Sequence, residues 1–297
     1  MERNDDFVIE DGVLVEYIGK AKDIVIPDSV EVIGRGVFKE NKSLNSVKMG
    51  DSVELIGDGA FVKCKNLKSV TIGKNVTAIG ENAFNQCTSL SSVKIPNSVT
   101  GIDKGAFFEC KNLTEVTIGK NVELIGKAAF CNCIKLSRVV FPDSVTEIGE
   151  YAFCECKALE SVHIGDGVKT IGEQAFTLCK KLDYVVIGKS VQTIGPSAFA
   201  ECSALDSITI PNSVTKIEKL AFGECTNLEY VKIGRNVKTI EEFAFSGCKK
   251  LISLELPQSV KNTCHNIIYD CKKMESITIP KHLEEEFEYA DCEVIIK

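Results

Sequence analysis

The chain has 297 residues, 44% hydrophobic and 26% charged, which is ordinary for a protein with a large core. Its net charge of −7 argues against a nucleic-acid or acidic-membrane partner, because such partners select a basic surface. No apolar run of about 18 residues predicts membrane insertion, and no apolar segment near Met1 predicts a secretory signal. As it stands the sequence predicts a cytoplasmic protein, or a surface or secreted one if a signal was removed.

The first predicted element is a hairpin near the N-terminus. Residues 7–15 alternate apolar and polar side chains on either side of Asp11-Gly12. This dipeptide between two alternating runs is a strong signal for a two-residue hairpin turn. A hairpin here would cover the open end of the core that follows, as terminal coils of repeat proteins require.

From residue 24 onward the chain repeats every 23 residues, which is the dominant signal in the sequence. A phenylalanine recurs at each step: Phe38, Phe61, Phe84, Phe107, Phe130, Phe153, Phe176, Phe199, Phe222 and Phe245. A cysteine column has the same period, three residues after the phenylalanine position: Cys64, Cys87, Cys110, Cys133, Cys156, Cys179, Cys202, Cys225, Cys248 and Cys271. Columns of leucine (Leu44 to Leu251), valine (Val30 to Val237) and isoleucine (Ile33 to Ile240) keep the same period.

Each period predicts one coil of a solenoid. Leu-x-x-Val-x-Ile ends in an apolar alternation typical of a short half-buried strand, and Pro or Gly ends it. Val-x-x-Ile predicts a second extended piece, and Ala-Phe-x-x-Cys has the spacing of a short helix or 3₁₀ turn. Pro196 fits the first turn of such a helix. The residue after the Ile is Gly in most repeats but Asp103, Glu218 or Glu241 in three of them. This position of the repeat therefore does not strictly require a positive φ.

The motif resembles the BspA-like (Treponema pallidum type) leucine-rich repeats, whose units carry Ile-x-x-x-Ala-Phe-x-x-Cys-x-x-Leu. The resemblance covers nearly the whole chain. It implies an α/β, β-rich solenoid: a right-handed superhelix with a parallel sheet on the concave face and short helical turns on the other side. It also implies protein-binding or adhesion roles, which are characteristic of many relatives, without fixing one activity.

Toward the C-terminus the repeat decays. Ile268 replaces the phenylalanine and Met274 the leucine. The acidic segment 282–290 predicts a polar helix, and residues 292–296 predict a final strand. We therefore predict one domain over 1–297, with a hairpin cap at 1–23, regular repeats at 24–260 and a degenerate repeat with a cap at 261–297.

The cysteines allow three interpretations: a metal array, a disulfide set or a buried ladder of reduced thiols. A uniform column offers no natural disulfide pairing, and buried cysteine behaves as a small hydrophobic residue, so a reduced ladder is favoured. Cys131 and Cys154 add two further thiols one period apart, which leaves a local disulfide or metal site open. Four-ligand zinc spacing is missing. We predict no cofactor and no metal.

The residues that flank each inward Val are expected on an open sheet face. Most are Ser, Thr or Lys, but a cluster of larger side chains interrupts them: Arg138, Val140, His163, Tyr184, Val186 and Tyr230. Exposed Tyr, Arg and apolar residues are enriched at interface centres. Val and Tyr are also ordinary strand residues, so drift is the alternative explanation. The sequence predicts a protein or peptide site here, with both tyrosines as anchors and Arg138 as a charged contact.

Three functions compete. The first is a non-catalytic scaffold that binds a protein or peptide on the concave sheet. The second is a surface or secreted adhesin or structural spacer. The third is an enzyme or metal-dependent thiol protein built on Cys131, Cys133, Cys154 and Cys156. The three histidines lie in different coils, and no nucleophile motif or phosphate-binding loop is recognisable, so catalysis is disfavoured.

Overall fold

The computed structural model describes residues 2–4 and 6–297, and the side chains of residues 6–297. A hairpin of strands Phe7–Glu10 and Val13–Tyr17 forms at its N-terminal end, and Glu2–Asn4 adds a third antiparallel strand. Asp11 and Gly12 have φ values of 47° and 78°, as a type I′ turn requires at both central positions. Val13–Tyr17 then pairs in parallel with the first coil.

One ladder of parallel strands comes from the Val-x-Ile part of each repeat. Its strands are Asp23–Val25, Ser46–Lys48, Ser69–Thr71, Ser92–Lys94, Glu115–Thr117, Arg138–Val140, Ser161–His163, Tyr184–Val186, Ser207–Thr209, Tyr230–Lys232, Ser253–Glu255, Ser276–Ile279 and Glu293–Ile296. Strand pairing groups them into sheets of eight, two and three strands, with breaks after Tyr184–Val186 and after Tyr230–Lys232. The predicted parallel-sheet solenoid is therefore confirmed.

The Val-x-x-Ile part of each repeat forms a second parallel sheet, continuous with the hairpin and 13 strands wide. Its repeat strands are Val32–Ile33, Leu55–Ile56, Ala78–Ile79, Gly101–Ile102, Leu124–Ile125, Glu147–Ile148, Thr170–Ile171, Thr193–Ile194, Lys216–Ile217 and Thr239–Ile240. The sequence predicts only an extended piece that turns the chain. Because equivalent residues of successive coils stack in register, even two-residue strands pair along the whole molecule.

The Ala-Phe-x-x-Cys segment forms the third side of each coil, and there the prediction of a short helix is wrong: no helix forms in the regular repeats. Two β-turns follow one another, as in Gly195–Ala198 and Phe199–Cys202, each closed by a backbone hydrogen bond of 3.2 or 3.3 Å. The third residue of each turn has a positive φ: 53° at Ser197 and 58° at Glu201. A left-handed residue in every fourth position stops helix propagation. Pro196 occupies the second position of such a turn, where its fixed φ is favourable, rather than a first helical turn.

The interior consists of stacked identical side chains. The ten phenylalanines from Phe38 to Phe245 form nine consecutive stacked pairs, with ring centroids 4.8 to 5.5 Å apart and planes within 10°. The hairpin continues this stack, because Tyr17 lies 5.1 Å from Phe7 and 5.2 Å from Phe38. The column thus buries its aromatic surface from the hairpin to the last regular repeat.

A cysteine ladder runs beside the phenylalanines. Each of its ten thiols donates a hydrogen bond to the phenylalanine carbonyl of the preceding coil, over 2.9 to 3.3 Å. Burial raises the pKa of the Cys64, Cys110 and Cys225 thiols to about 12. Small, buried thiols with a satisfied donor fit the predicted structural role for this column.

Glycine is required where neighbouring coils approach most closely. A Cβ built on Gly188 would lie 2.1 Å from the carbonyl oxygen of Gly165, and one on Gly119 would lie 2.2 Å from that of Pro96. Neither residue has a positive φ. Contact between coils, rather than backbone conformation, therefore explains these glycines.

The C-terminal end departs from the repeat and corrects a second prediction. The acidic segment forms two short 3₁₀ helices, Lys281–Leu283 and Glu285–Phe287, instead of one polar helix. Leu283 and Phe287 are buried, so the segment packs one apolar edge on the last coil. Another 3₁₀ helix, His265–Ile268, replaces the first turns of the degenerate repeat. The expected final strand is present in parallel pairing with Ser276–Ile279.

Candidate protein-interaction surface

The three-residue strands present an open surface, called here the strand face and formed by the first and third residue of each strand. In Glu115–Thr117 and Arg138–Val140 the outer two residues are exposed and the middle valine is buried. This alternation follows from the pleat, which sends successive side chains to opposite sides. The six residues singled out in the sequence all occupy outer positions.

Strand register brings five of those six residues together. Arg138 pairs with Ser161, which pairs with Tyr184. In the third position Val140 pairs with His163, which pairs with Val186. Arg138, Val140, His163, Tyr184 and Val186 therefore lie on three consecutive coils.

Tyr230 is separated from this group by one coil. It pairs with Ser207, whose strand is separated from Tyr184–Val186 by a break in strand pairing. Tyr184 is 62% exposed and Tyr230 is 69% exposed, whereas Val186 is less exposed and half-buried. We call the six residues the patch: two exposed tyrosines flank a serine-bearing strand, with Arg138, Val140 and His163 at one end.

Sequence reasoning missed a row of carboxylates beside the patch. The residue just before each strand is Glu160, Asp183, Asp206 or Glu229 in four consecutive coils, called here the acid row. The signal was present in the sequence: the same position is Lys22, Asn45, Lys68, Ser91, Thr114 and Ser137 in the preceding coils. The acid row lies outside the two outer strand positions that define the patch.

Backbone hydrogen bonds join the acid row in two pairs, Glu160 with Asp183 and Asp206 with Glu229, on either side of the break in strand pairing. The amide of Asp183 donates to the carbonyl of Glu160 over 3.1 Å, and that of Glu229 donates to Asp206 over 2.8 Å. Among the described side chains, two ion pairs at the surface compensate charges of the row: Lys181 lies 3.9 Å from Glu160, and Lys250 lies 3.5 Å from Glu229. Such pairs contribute little, so the row keeps its negative field.

The two additional cysteines lie close together on neighbouring coils. The backbone of Asn132 donates to the carbonyl of Cys154 over 2.8 Å, which sets Cys131 beside Cys154. The hydrogen bond between the two thiols and partial burial raise the pKa of Cys131. Across the described side chains of residues 6–297, no three histidine, cysteine or acidic residues converge as metal ligands.

A cleft in the C-terminal cap brings several titratable side chains together. His265, Tyr269, Cys271, Tyr289 and Cys292 line it among others. His265 and Tyr289 pack edge to face, with ring centroids 6.5 Å apart. Burial raises the pKa of the Cys292 thiol. In the part of the chain that the structure describes, no helix is long and apolar enough to cross a bilayer.

Stacked 23-residue coils, parallel strand ladders and an open strand face together define a leucine-rich-repeat solenoid of the kind that serves as a scaffold. The profile of the BspA type leucine-rich repeat region matches residues 14–137, 123–242 and 217–293, in six copies. The chain belongs to this family, and the resemblance noted in the sequence is confirmed.

Solved structures agree with this assignment. A leucine-rich cell surface protein from Faecalibacterium prausnitzii A2-165 is 29% identical, with a TM-score of 0.62, and the match covers 100% of this chain and 94% of that one. The Treponema pallidum leucine-rich repeat protein is 28% identical over 65% of this chain and 82% of its own, with a TM-score of 0.51. A leucine-rich repeat protein from Bacteroides ovatus ATCC 8483, at 23% identity, 100% and 97% coverage and a TM-score of 0.62, shares the fold. No curated protein matches the sequence.

Proposed function

We propose that this chain is a single-domain, non-catalytic scaffold that binds a protein or peptide partner on the strand face. The observation that carries the proposal is the patch: Tyr184 and Tyr230 are more than 60% exposed on parallel strands of the solenoid, beside Arg138, Val140 and His163. Interfaces concentrate binding energy in Tyr and Arg, and a rigid scaffold lowers the entropy lost on binding. The strand face is proposed as the concave side of a right-handed superhelix.

The role of the two tyrosines can be tested by affinity capture from native-cell lysate and culture medium. The variant Tyr184→Ala/Tyr230→Ala removes both anchors. The matched control is Tyr269→Ala/Tyr289→Ala, since those tyrosines are 62% and 74% exposed but lie in the C-terminal cap. We expect wild type and control to capture the same partner, and the patch variant to lose it by at least about tenfold. Equal capture by all three proteins of equal thermal stability would place the site elsewhere.

A second candidate is an adhesin or structural spacer at the cell surface. The similarity to a protein described as a leucine-rich cell surface protein, at 29% identity over the whole chain, favours this alternative. A membrane-impermeant biotin reagent applied to intact native cells tests it, because exposed lysines are distributed along the solenoid. Labelling before lysis supports a surface role, and labelling only after lysis contradicts it.

A further inference from the structure

We propose that the partner presents a basic, extended segment whose Lys or Arg side chains contact the acid row while the segment lies against Tyr184 and Tyr230. This rests on the binding role proposed for the strand face and adds the chemistry of the occupant. The supporting observation is charge: the same position of the coil carries no carboxylate in the six coils from Lys22 to Ser137 and a carboxylate in the next four.

The acid row coincides with the patch along the solenoid. Asp183 directly precedes Tyr184, and Glu229 directly precedes Tyr230. The amides of both tyrosines donate to carbonyls of the acid row, that of Tyr184 to Glu160 over 3.3 Å and that of Tyr230 to Asp206 over 3.2 Å. Carboxylates and exposed aromatic faces both favour Arg and Lys, so a partner that reaches the acid row and the tyrosines gains most from cationic side chains.

The spacing suits an extended chain. Four carboxylates on consecutive coils span three steps of about 4.8 Å, or about 14 Å. Alternate side chains of an extended peptide lie about 6.7 Å apart on one side, so three basic residues cover the same length. An acidic or neutral segment would gain no such match.

The carboxylates are free to exchange partners. Among the described residues Asp183 forms no ion pair, and Asp206 accepts only from the neighbouring Ser207 hydroxyl, over 2.8 Å. The Lys181–Glu160 and Lys250–Glu229 pairs lie at the surface in contact with water, so replacing them by a partner's cation costs little. Glu229 is half-buried and the other three acids are exposed.

The test uses fluorescein-labelled peptides of alternating Lys and Ser, Gln and Ser, or Glu and Ser, with fluorescence anisotropy as the readout. The test variant is Glu160→Gln/Asp183→Asn/Asp206→Asn/Glu229→Gln. Its matched control, Asp28→Asn/Glu54→Gln/Glu123→Gln/Glu147→Gln, removes the same charge from exposed acids outside the acid row. We expect the Lys peptide to bind wild type and control alike, to bind the test variant about tenfold more weakly, and to weaken with salt.

Several results would overturn the proposal. These are binding of the Glu peptide as tightly as the Lys peptide, equal weakening by both fourfold variants, or no binding of the Lys peptide at about 1 mM. If Tyr184→Ala/Tyr230→Ala abolishes peptide binding while the acid-row variant leaves it intact, the binding face stands and the basic partner does not. If wild type is a dimer by light scattering and the acid-row variant a monomer, the occupant is a second copy of the chain, which also overturns the proposal.

Discussion

The turn side of each coil and the strand face have the same 23-residue period but differ in how strictly they hold it. The Phe position is phenylalanine in ten successive coils, whereas the first strand position runs through Ser, Glu, Arg and Tyr. A ring at the Phe position stacks on its copies in both neighbouring coils, so any other shape leaves a gap on two sides. An outer strand residue does not pack in the core, so the side chain at that position can be selected for binding a ligand.

The two regions also differ in the charge of their side chains and in its exposure to water. The turn side buries neutral thiols whose hydrogen bonds are satisfied by carbonyls of the preceding coil. Just before the strand face, the same register holds Lys22 and Lys68 at one end and the acid row toward the other, in water and weakly paired. The interior thus supplies a rigid frame, and the exposed columns supply the chemistry.

The largest expected effect is alkaline destabilisation by the thiol ladder. The pKa of Cys64, Cys110 and Cys225 is about 12 in the folded chain against an ordinary value of 9.0. Between pH 9 and 12 the unfolded chain has lost these protons and the folded chain has kept them, so the free energy of unfolding falls as pH rises. The stabilisation is complete below pH 9 and decreases by about 1.4 kcal/mol per pH unit for each thiol.

Urea unfolding followed by circular dichroism at pH 7, 9, 10 and 11 measures this decrease. Lysines and tyrosines also titrate in this range, so a variant has to isolate the thiol contribution. Cys110→Ala/Cys225→Ala is expected to be less stable at pH 7 but to lose stability less steeply, by about 1.4 kcal/mol per pH unit for each thiol removed. A variant with the slope of wild type would show that the ladder does not hold its protons.

The second prediction compares the turn side and the strand face by truncating one aromatic residue in each. Phe153 stacks on Phe130 and Phe176, at centroid distances of 5.1 and 5.5 Å, and meets the edge of Phe141 at 5.3 Å. Phe153→Ala is expected to lower the free energy of unfolding by about 3 to 5 kcal/mol. Tyr184→Ala, on the strand face, is expected to change it by no more than about 0.5 kcal/mol. Comparable losses in urea unfolding would contradict the distinction between the two regions.

The sequence predicts the buried columns well, because their period is set by stacking and recurs without exception in Phe38 to Phe245. It does not distinguish helix from paired turns. Ala-Phe-x-x-Cys places apolar side chains three and four apart in either case. The distinguishing signal was the recurrence of Gly36, Gly59 and Gly105 at a left-handed position, but Tyr151 and Leu178 at left-handed positions obscure it.

The candidate site was predictable only in part. The alternation of Arg138–Val140 and its neighbours indicates which side chains point outward, and the structure places the six patch residues in outer strand positions. That these residues bind a partner stays a prediction. The acid row lies one residue outside the strands, so the alternation of strand residues does not indicate Asp183 and Asp206. The charge of the residue just before each strand, compared from coil to coil, does indicate these two acids.

The third prediction has the smallest expected effect. It tests how closely neighbouring coils approach just after the strands of the strand face. Gly188→Ala would place a Cβ 2.1 Å from the Gly165 carbonyl oxygen, and backbone atoms there have to shift. Gly101→Ala is the matched control, because a Cβ on Gly101 meets no atom within 4 Å. We expect Gly188→Ala to cost about 1 to 3 kcal/mol in urea unfolding. Gly101→Ala should be neutral or stabilise by about 0.4 to 1 kcal/mol, since alanine restricts the unfolded chain. Equal stabilities for the two variants would mean that the coil can widen locally, and the strand face would then lack the rigidity on which its proposed binding role depends.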